Sequence, residues 1–246
     1  MKNLLAKLSG IAFLLAVLAG TARAVPLTTL DVDFEIPPYT IGLINGQDGW
    51  NAFGPSLVTN TMARSGTQSL NTTLGSISGG SNSKDFDPGG VYSTSTDWYM
   101  ESYVYVVPSN FANSANFAVG TGFGTVTISI HGDGAVEFNA GGGFLPDIRP
   151  ANASVPDQWL RLLVVHAASN PPNLEMSVVG TGVNVQYSGG FTAPGGFATL
   201  YVNGPNAYWD DMKVVSGALP SVPEPSSAFL GALGLLALAR RDRRRR

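Results

Sequence analysis

Between residues 29 and 215 polar and apolar side chains change places at almost every step. Only a β-strand converts that two-residue rhythm into one wet face and one dry face. Thr29-Leu30-Asp31-Val32-Asp33-Phe34-Glu35-Ile36 shows it, as does Thr125-Val126-Thr127-Ile128-Ser129-Ile130. Asp97 to Val107 repeats it with aromatic and β-branched residues. Strand character continues at residues 69–74, 134–139, 159–167, 174–179, 183–187, 198–202 and 208–215. Clusters of Gly, Asn, Pro and Ser interrupt these runs, including Gly79-Gly80-Ser81-Asn82-Ser83 and Ala168-Ser169-Asn170-Pro171-Pro172-Asn173, which read as turns. No amphipathic helical pattern occurs in this region, and no internal repeat points to a propeller or solenoid. Ten or so short, closely spaced strands predict an all-β, two-sheet antiparallel sandwich.

The two ends of the chain follow different rules. Lys2 and Lys7 precede an apolar run from Leu8 to Leu18, and Ala22-Arg23-Ala24 has the small-x-small form that signal peptidase cleaves. Residues 1–24 are therefore expected to be a signal peptide. At the other end Pro223 and Pro225 flank Glu224, fixing φ and removing two backbone donors, so this stretch is extended and accessible. Ser226 to Ala239 carries no charge and is rich in Leu and Ala, which favours helix. Arg240, Arg241, Arg243, Arg244, Arg245 and Arg246 then close the chain, with only Asp242 against them. Arginines beside an apolar helix stay on the cytoplasmic side, which places the preceding domain across the membrane. The 14 uncharged residues reach only about 21 Å as a helix, short of a hydrocarbon core of about 30 Å. Such a span suits a transient membrane segment better than a permanent anchor. The plainer alternative is a simple tail anchor behind a proline-rich linker.

Motif, apolar helix and arginine cluster, in that order at the terminus, resemble the PEP-CTERM sorting signal over residues 221–246. The resemblance implies recognition and cleavage near Pro223-Glu224-Pro225 by exosortase, an integral-membrane enzyme. It also implies a route through an inner-membrane intermediate to the cell surface or extracellular matrix.

Residues 25–220 then form one domain, large enough to bury a substantial core. Nine of the 14 basic residues lie in the termini, so the domain keeps Arg64, Lys84, Arg149, Arg161 and Lys213 against 15 acidic residues, a net charge of −10. That surface repels phosphate backbones and excludes nucleic acid as a partner. It suits calcium and neutral or cationic glycans. The chain contains no cysteine, so disulfide scaffolds, zinc–thiolate sites and cysteine nucleophiles are ruled out.

Several local patterns resemble jelly rolls of the concanavalin-like and carbohydrate-binding-module kind. They are Asp33-Phe34-Glu35 followed by Asn45-Gly46-Gln47-Asp48-Gly49-Trp50, then Arg64-Ser65-Gly66-Thr67-Gln68-Ser69-Leu70, and the closing run Tyr208-Trp209-Asp210-Asp211-Met212-Lys213-Val214. Gln158-Trp159-Leu160-Arg161-Leu162 is similar to the long central strand of laminin-G-type domains. The resemblance implies that the first and last strands run side by side, with a structural calcium ion between them. Asp33, Glu35, Asp48 and Asp211 would supply oxygens of the kind calcium takes. The same acids could equally be solvent-facing charges that protect edge strands.

Catalytic patterns are scarce. Asp31, Asp33 and Glu35 superficially resemble the carboxylate ladder of jelly-roll glucanases, but that ladder belongs in the middle of a domain and this run opens it. His131 and His166 lack a Gly-x-Ser-x-Gly elbow, and no Walker loop, Rossmann fingerprint or paired-histidine motif is present. The chain is therefore expected not to be an enzyme. Aromatic residues are better placed. Tyr99, Tyr103 and Tyr105 share strand parity with Glu101, opposite Trp98 and Met100, and the charged face should be the open one. An open aromatic face can stack on sugar rings. The resulting expectation is a non-enzymatic surface or matrix protein that interacts with exopolysaccharide. The rival readings are a glycoside hydrolase or lyase acting on that polysaccharide and a structural or adhesive protein that binds other proteins.

Overall fold

A computed structural model describes residues 26–72, 81–86, 96–109, 113–120, 126–140, 157–169, 172–190, 199–204, 207–217 and 219–220. The leader and the sorting tail lie outside them, including Pro223, Glu224, Pro225, Arg240, Arg241, Arg243 and Arg244. Among the described residues no helix is long and apolar enough to cross a membrane.

In chain order the strands are β1 (Leu27–Val32), β2 (Gly42–Leu43), β3 (Asn51–Phe53), β4 (Leu57–Thr59) and β5 (Ser69–Asn71). There follow β6 (Ser81–Asp85), β7 (Trp98–Val106), β8 (Ser114–Gly120), β9 (Val126–His131) and β10 (Val136–Asn139). The last five are β11 (Trp159–Ala167), β12 (Asn173–Gly180), β13 (Val183–Gly190), β14 (Thr199–Asn203) and β15 (Ala207–Ser216). They form two antiparallel sheets. One runs β13-β12-β11-β7-β15-β5-β4-β2, with β1 also on β15, and the other runs β10-β9-β8-β14-β6-β3.

Alternation along each strand makes the sandwich. On β7 Trp98, Met100, Ser102, Val104 and Val106 are buried while the residues between them are half-buried. β11 repeats this with Leu160, Leu162, Val164 and His166 turned inward. The six-stranded sheet answers with Phe117, Val119, Ile128, Ile130, Phe138, Leu200 and Val202. Trp209 of β15 stacks on Phe117 of β8 with ring centroids 6.4 Å apart, joining the two inner faces. A buried aromatic of this size removes roughly 150–250 Å² from water, so such pairs dominate the core.

The structure corrects the sequence expectation in three places. The run from Thr29 to Ile36 is not one strand, because β1 ends at Val32 and Phe34 takes a φ of 60°. That turn drives the Phe34 ring against Tyr39 and Trp50, at centroid distances of 5.2 and 5.9 Å. Ser81-Asn82-Ser83, read as part of a turn, lies in β6, where pairing with β14 and β3 supplies the ladder that its own β propensity does not. The segment Ser114–Gly120 carries no strong alternation, yet it forms β8 between β14 and β9.

The first and last strands are neighbours, as the jelly-roll resemblance implies. β15 serves two partners in turn. Tyr208 and Trp209 pair with β5, and the stretch from Met212 to Ser216 pairs with β1. Between the two lies a bulge opposite β7, from Asp210 to Lys213, with Asp211 at a φ of 47°. An extra residue at this point bends the strand and re-aims its side chains.

Candidate functional site

Tyr99, Glu101, Tyr103 and Tyr105 all lie half-buried on the outer face of the nine-stranded sheet. Strand register sets their neighbours. Trp159 lies opposite Tyr105, Arg161 opposite Tyr103, Leu163 opposite Glu101 and Val165 opposite Tyr99 on β11. Tyr105 meets Trp159 and Tyr208 edge-on, at centroid distances of 5.9 and 6.3 Å, and its hydroxyl donates to Asp157. That hydrogen bond to the carboxylate is the main reason the Tyr105 hydroxyl is pushed up to about 12. Arg161 Nε donates to Glu101 Oε1 at 2.7 Å, and this bond raises the guanidinium pKa further. Tyr103 is covered. The Arg64 guanidinium lies 3.3 Å from its ring centroid, close enough for cation–π attraction.

Arg64 belongs to a loop held in place by Asp210 and by two acids of the expected metal site, Asp211 and Glu35. Asp210 Oδ2 accepts the amides of Arg64 and Ser65 at 2.9 and 3.2 Å. Asp211 pairs with the Arg64 guanidinium and accepts Ser65 Oγ at 2.7 Å. Glu35 takes the Thr67 amide at 2.6 Å, the Gln68 amide at 2.7 Å and Thr67 Oγ1 at 2.8 Å. Burial pushes the Glu35 carboxyl up, but these hydrogen bonds outweigh it and leave its pKa below the ordinary value. Gly66 is required between them. Its φ is +57°, and a side chain there would run into the Glu35 carboxylate. Asp48 accepts Tyr39 Oη and Lys84 Nζ, each at 2.7 Å, while Asp33 Oδ1 accepts the Glu35 amide at 3.0 Å.

The four acids expected to share a calcium ion are thus not gathered. Each has its own donors, and among the described residues no three His, Cys, Asp or Glu side chains form a metal-holding group. As arranged, the residues do not fit the ion. The apparent glucanase ladder dissolves for the same reason, with Asp31 standing 3.7 Å from Lys213 while Asp33 and Glu35 face other groups.

Asp210 is fully buried, and burial pushes its carboxyl up to about 6, with the Asp211 charge adding to the rise against the amide hydrogen bonds. The folded protein therefore holds this proton more tightly than the unfolded chain, where the value is 3.8. The stabilising contribution is complete below about pH 4 and is lost as pH rises through 6, on the order of 3 kcal/mol at most. Urea titrations of the wild type and Asp210→Asn between pH 4 and 7 should show it. The difference in stability between the two is expected to shift in favour of the variant as pH rises.

Beside the aromatic row, β11, β12 and β13 carry a groove of about 480 Å³. Its floor is apolar at Leu163 and Val165, and its polar groups come from Arg161, Glu175, Ser177, Gln186 and Ser188. Register explains the grouping, because Leu163 pairs with Ser177, and Ser177 with Gln186. Pro220 completes the wall. Apart from Arg161, which it placed only in a central strand, the sequence reading singled out none of these residues. Parity within each strand does put Glu175, Ser177 and Gln186 on outward positions, but nothing local says that β12 and β13 continue the sheet beyond β11.

The other sheet offers a different outer face. Asn203, Asn116 and Ser129 lie side by side across β14, β8 and β9. Asn116 donates to Asn203 at 2.7 Å, and Ser129 donates to Asn116 at 2.6 Å. This polar network is internally satisfied and Ser129 and Asn203 are buried, so it reads as structural. The histidines are also structural in setting. His166 stacks on Trp98 at 5.1 Å, with Nδ1 3.0 Å from the Thr96 carbonyl oxygen, and burial pulls its pKa down. His131 Nε2 lies 3.2 Å from Glu137.

Residues 221–245 match the model of the PEP-CTERM protein-sorting motif. No curated protein matches the chain in sequence. Among solved structures, the CBM2 module of an evolved Dit protein from Lactobacillus casei BL23 phage J-1 is similar at a TM-score of 0.53 and 12% identity, covering 79% of this chain and 97% of that one. The Ca2+-bound exoplasmic/lumenal domain of VIP36 has a TM-score of 0.48 at 12% identity, covering 72% and 86%. The CBM22-1 xylan-binding domain of Paenibacillus barcinonensis Xyn10C has a TM-score of 0.40 at 17% identity, covering 81% and 99%. The chain thus ends in a PEP-CTERM sorting motif, the mark of an exported protein processed by exosortase, and carries ahead of it a β-sandwich with the fold of a carbohydrate-binding module.

Proposed function

We propose that this chain is a surface or matrix protein that holds exopolysaccharide without cleaving it. The groove over β11–β13 carries the reading, because it pairs an apolar floor with several side-chain donors and acceptors on rigid strands. The adjoining Tyr105, Trp159 and Tyr208 extend it as a stacking surface. The excess of acid over base in residues 25–220, taken as the mature domain, favours neutral or cationic sugars.

Two carboxylates of this sheet support binding over hydrolysis. Asp210, the acid with the raised pKa, is roofed by the loop that it holds, and Glu101 is paired with Arg161. Neither is poised to transfer a proton to a ligand. Calcium at Asp33, Glu35, Asp48 and Asp211 would have to displace Arg64, Lys84 and three backbone amides. The proposed binding is therefore calcium-independent.

The test is a glycan array together with the producing organism's own exopolysaccharide, each probed with and without EGTA. Saturable binding that EGTA leaves unchanged is expected. Binding to no polysaccharide overturns the proposal and turns attention to protein contacts through exposed Ile36, Ile41, Leu43 and Phe53.

A further inference from the structure

The groove over β11–β13 contains two charged side chains, and only one of them is answered. Arg161 is neutralised, with its Nε held by Glu101 Oε1 at 2.7 Å. Glu175 lines the same groove from an exposed position on β12. Among the described residues its side chain meets only the neutral Asn173 amide, which donates to Oε1 at 3.2 Å. Strand register keeps the two charges apart. Arg161 pairs with Val179, whereas Glu175 pairs with Val165 on β11 and Ser188 on β13. Positions 161 and 165 are four residues apart on one strand, about 13 Å, against a screening length of about 8 Å at physiological salt. The bond to Glu101 also draws the guanidinium toward β7, away from β12.

Resting on the binding role proposed above, we infer that the polysaccharide carries free amino groups and that Glu175 receives them as ammonium ions. A hexosamine ring offers an apolar C–H face and a nitrogen at its edge. With that face on Leu163 and Val165, the edge points across to β12, the next strand at about 4.8 Å. There an ammonium donates a charge-assisted hydrogen bond to the Glu175 carboxylate. Ser177 and Ser188 stand on either side to take hydroxyl groups. N-acetylation of the sugar removes the positive charge and adds bulk, so the carboxylate would lose water without gaining a counter-ion. A uronic acid would set like charges against each other. The excess of acid over base in residues 25–220 acts in the same sense at longer range, drawing a cationic polymer toward the surface.

The test is calorimetric titration of the full chain in detergent with the producing organism's exopolysaccharide, untreated and after N-acetylation by acetic anhydride in aqueous methanol. Glu175→Gln removes the groove's charge, and Asp85→Asn removes one charge from β6 in the other sheet. The wild type is expected to bind the untreated polymer at least tenfold more tightly than the N-acetylated one. Glu175→Gln is expected to bind both forms at the weaker level, while Asp85→Asn keeps the wild-type preference. Equal affinity of the wild type for both forms overturns the inference and leaves the binding role intact. Equal losses in the two variants also overturn it, because the attraction would then belong to the acidic surface at large. Absence of binding to either form overturns the binding role instead.

Discussion

Ser177→Trp is expected to abolish polysaccharide binding, by a hundredfold or more, with little change in stability. Ser177 lines the groove on its middle strand, flanked in register by Leu163 on β11 and Gln186 on β13. Its side chain faces outward, between the inward-facing Met176 and Val178, which belong to the core. An indole at this position fills the space between the neighbouring strands without touching that core. Tryptophan is also well tolerated on a strand's outer surface, where substitutions generally move stability by about 0.5 kcal/mol or less. Isothermal titration with the exopolysaccharide, alongside a thermal melt, separates the outcomes. Retained affinity in a folded variant would move the binding surface away from β11–β13.

Gly204→Ala is expected to be the most damaging single substitution for folding, costing on the order of 4 kcal/mol. Gly204 follows β14 at a φ of +117°, a region that side chains rarely enter. An added Cβ would overlap the Ser114 carbonyl oxygen and come within 2.7 Å of Ala115 Cα, both backbone atoms at the start of β8. Neither can move without disturbing the β14–β8 ladder, whose register begins beside them at Asn203 and Asn116. Chemical denaturation should show a large fall in midpoint, with β14 and β8 losing amide protection first. A variant with native stability would mean that the close approach of the two backbones is not required.

The aromatic row beside the groove was legible in the parity of a single strand. Trp98 and Met100 face the core, while Tyr99, Glu101, Tyr103 and Tyr105 face away from it, as alternation alone implies. What alternation did not contain was the company each side chain keeps. Glu101, two residues from Tyr103, carries a charge that suggests an open face, yet Tyr103 is covered by Arg64 from a loop remote in sequence. Asp211 and Glu35 have the residue type and placement of calcium ligands, but their oxygens are taken by residues 64–68. A carboxylate accepts an ammonium, an amide or a cation with similar readiness, so sequence motif cannot distinguish among them. Only the position of the competing donors can.

Two properties were settled by sequence alone. The sorting address is a linear pattern read by other proteins, so order and composition suffice to identify it. The β class follows from hydrophobic periodicity, which is a property of each segment by itself. Tertiary structure decided the rest. It placed β12 and β13 beyond β11 to form the groove, and folded residues 64–68 onto Asp210 and Asp211 of β15 and onto Glu35. It also recruited Ser81–Asp85 as a strand and brought Pro220 to the groove wall. These depend on which distant segments pair. Pairing is decided by the burial of both sheets against a shared core and by the satisfaction of backbone ladders, and those quantities exist only once the whole sandwich has formed.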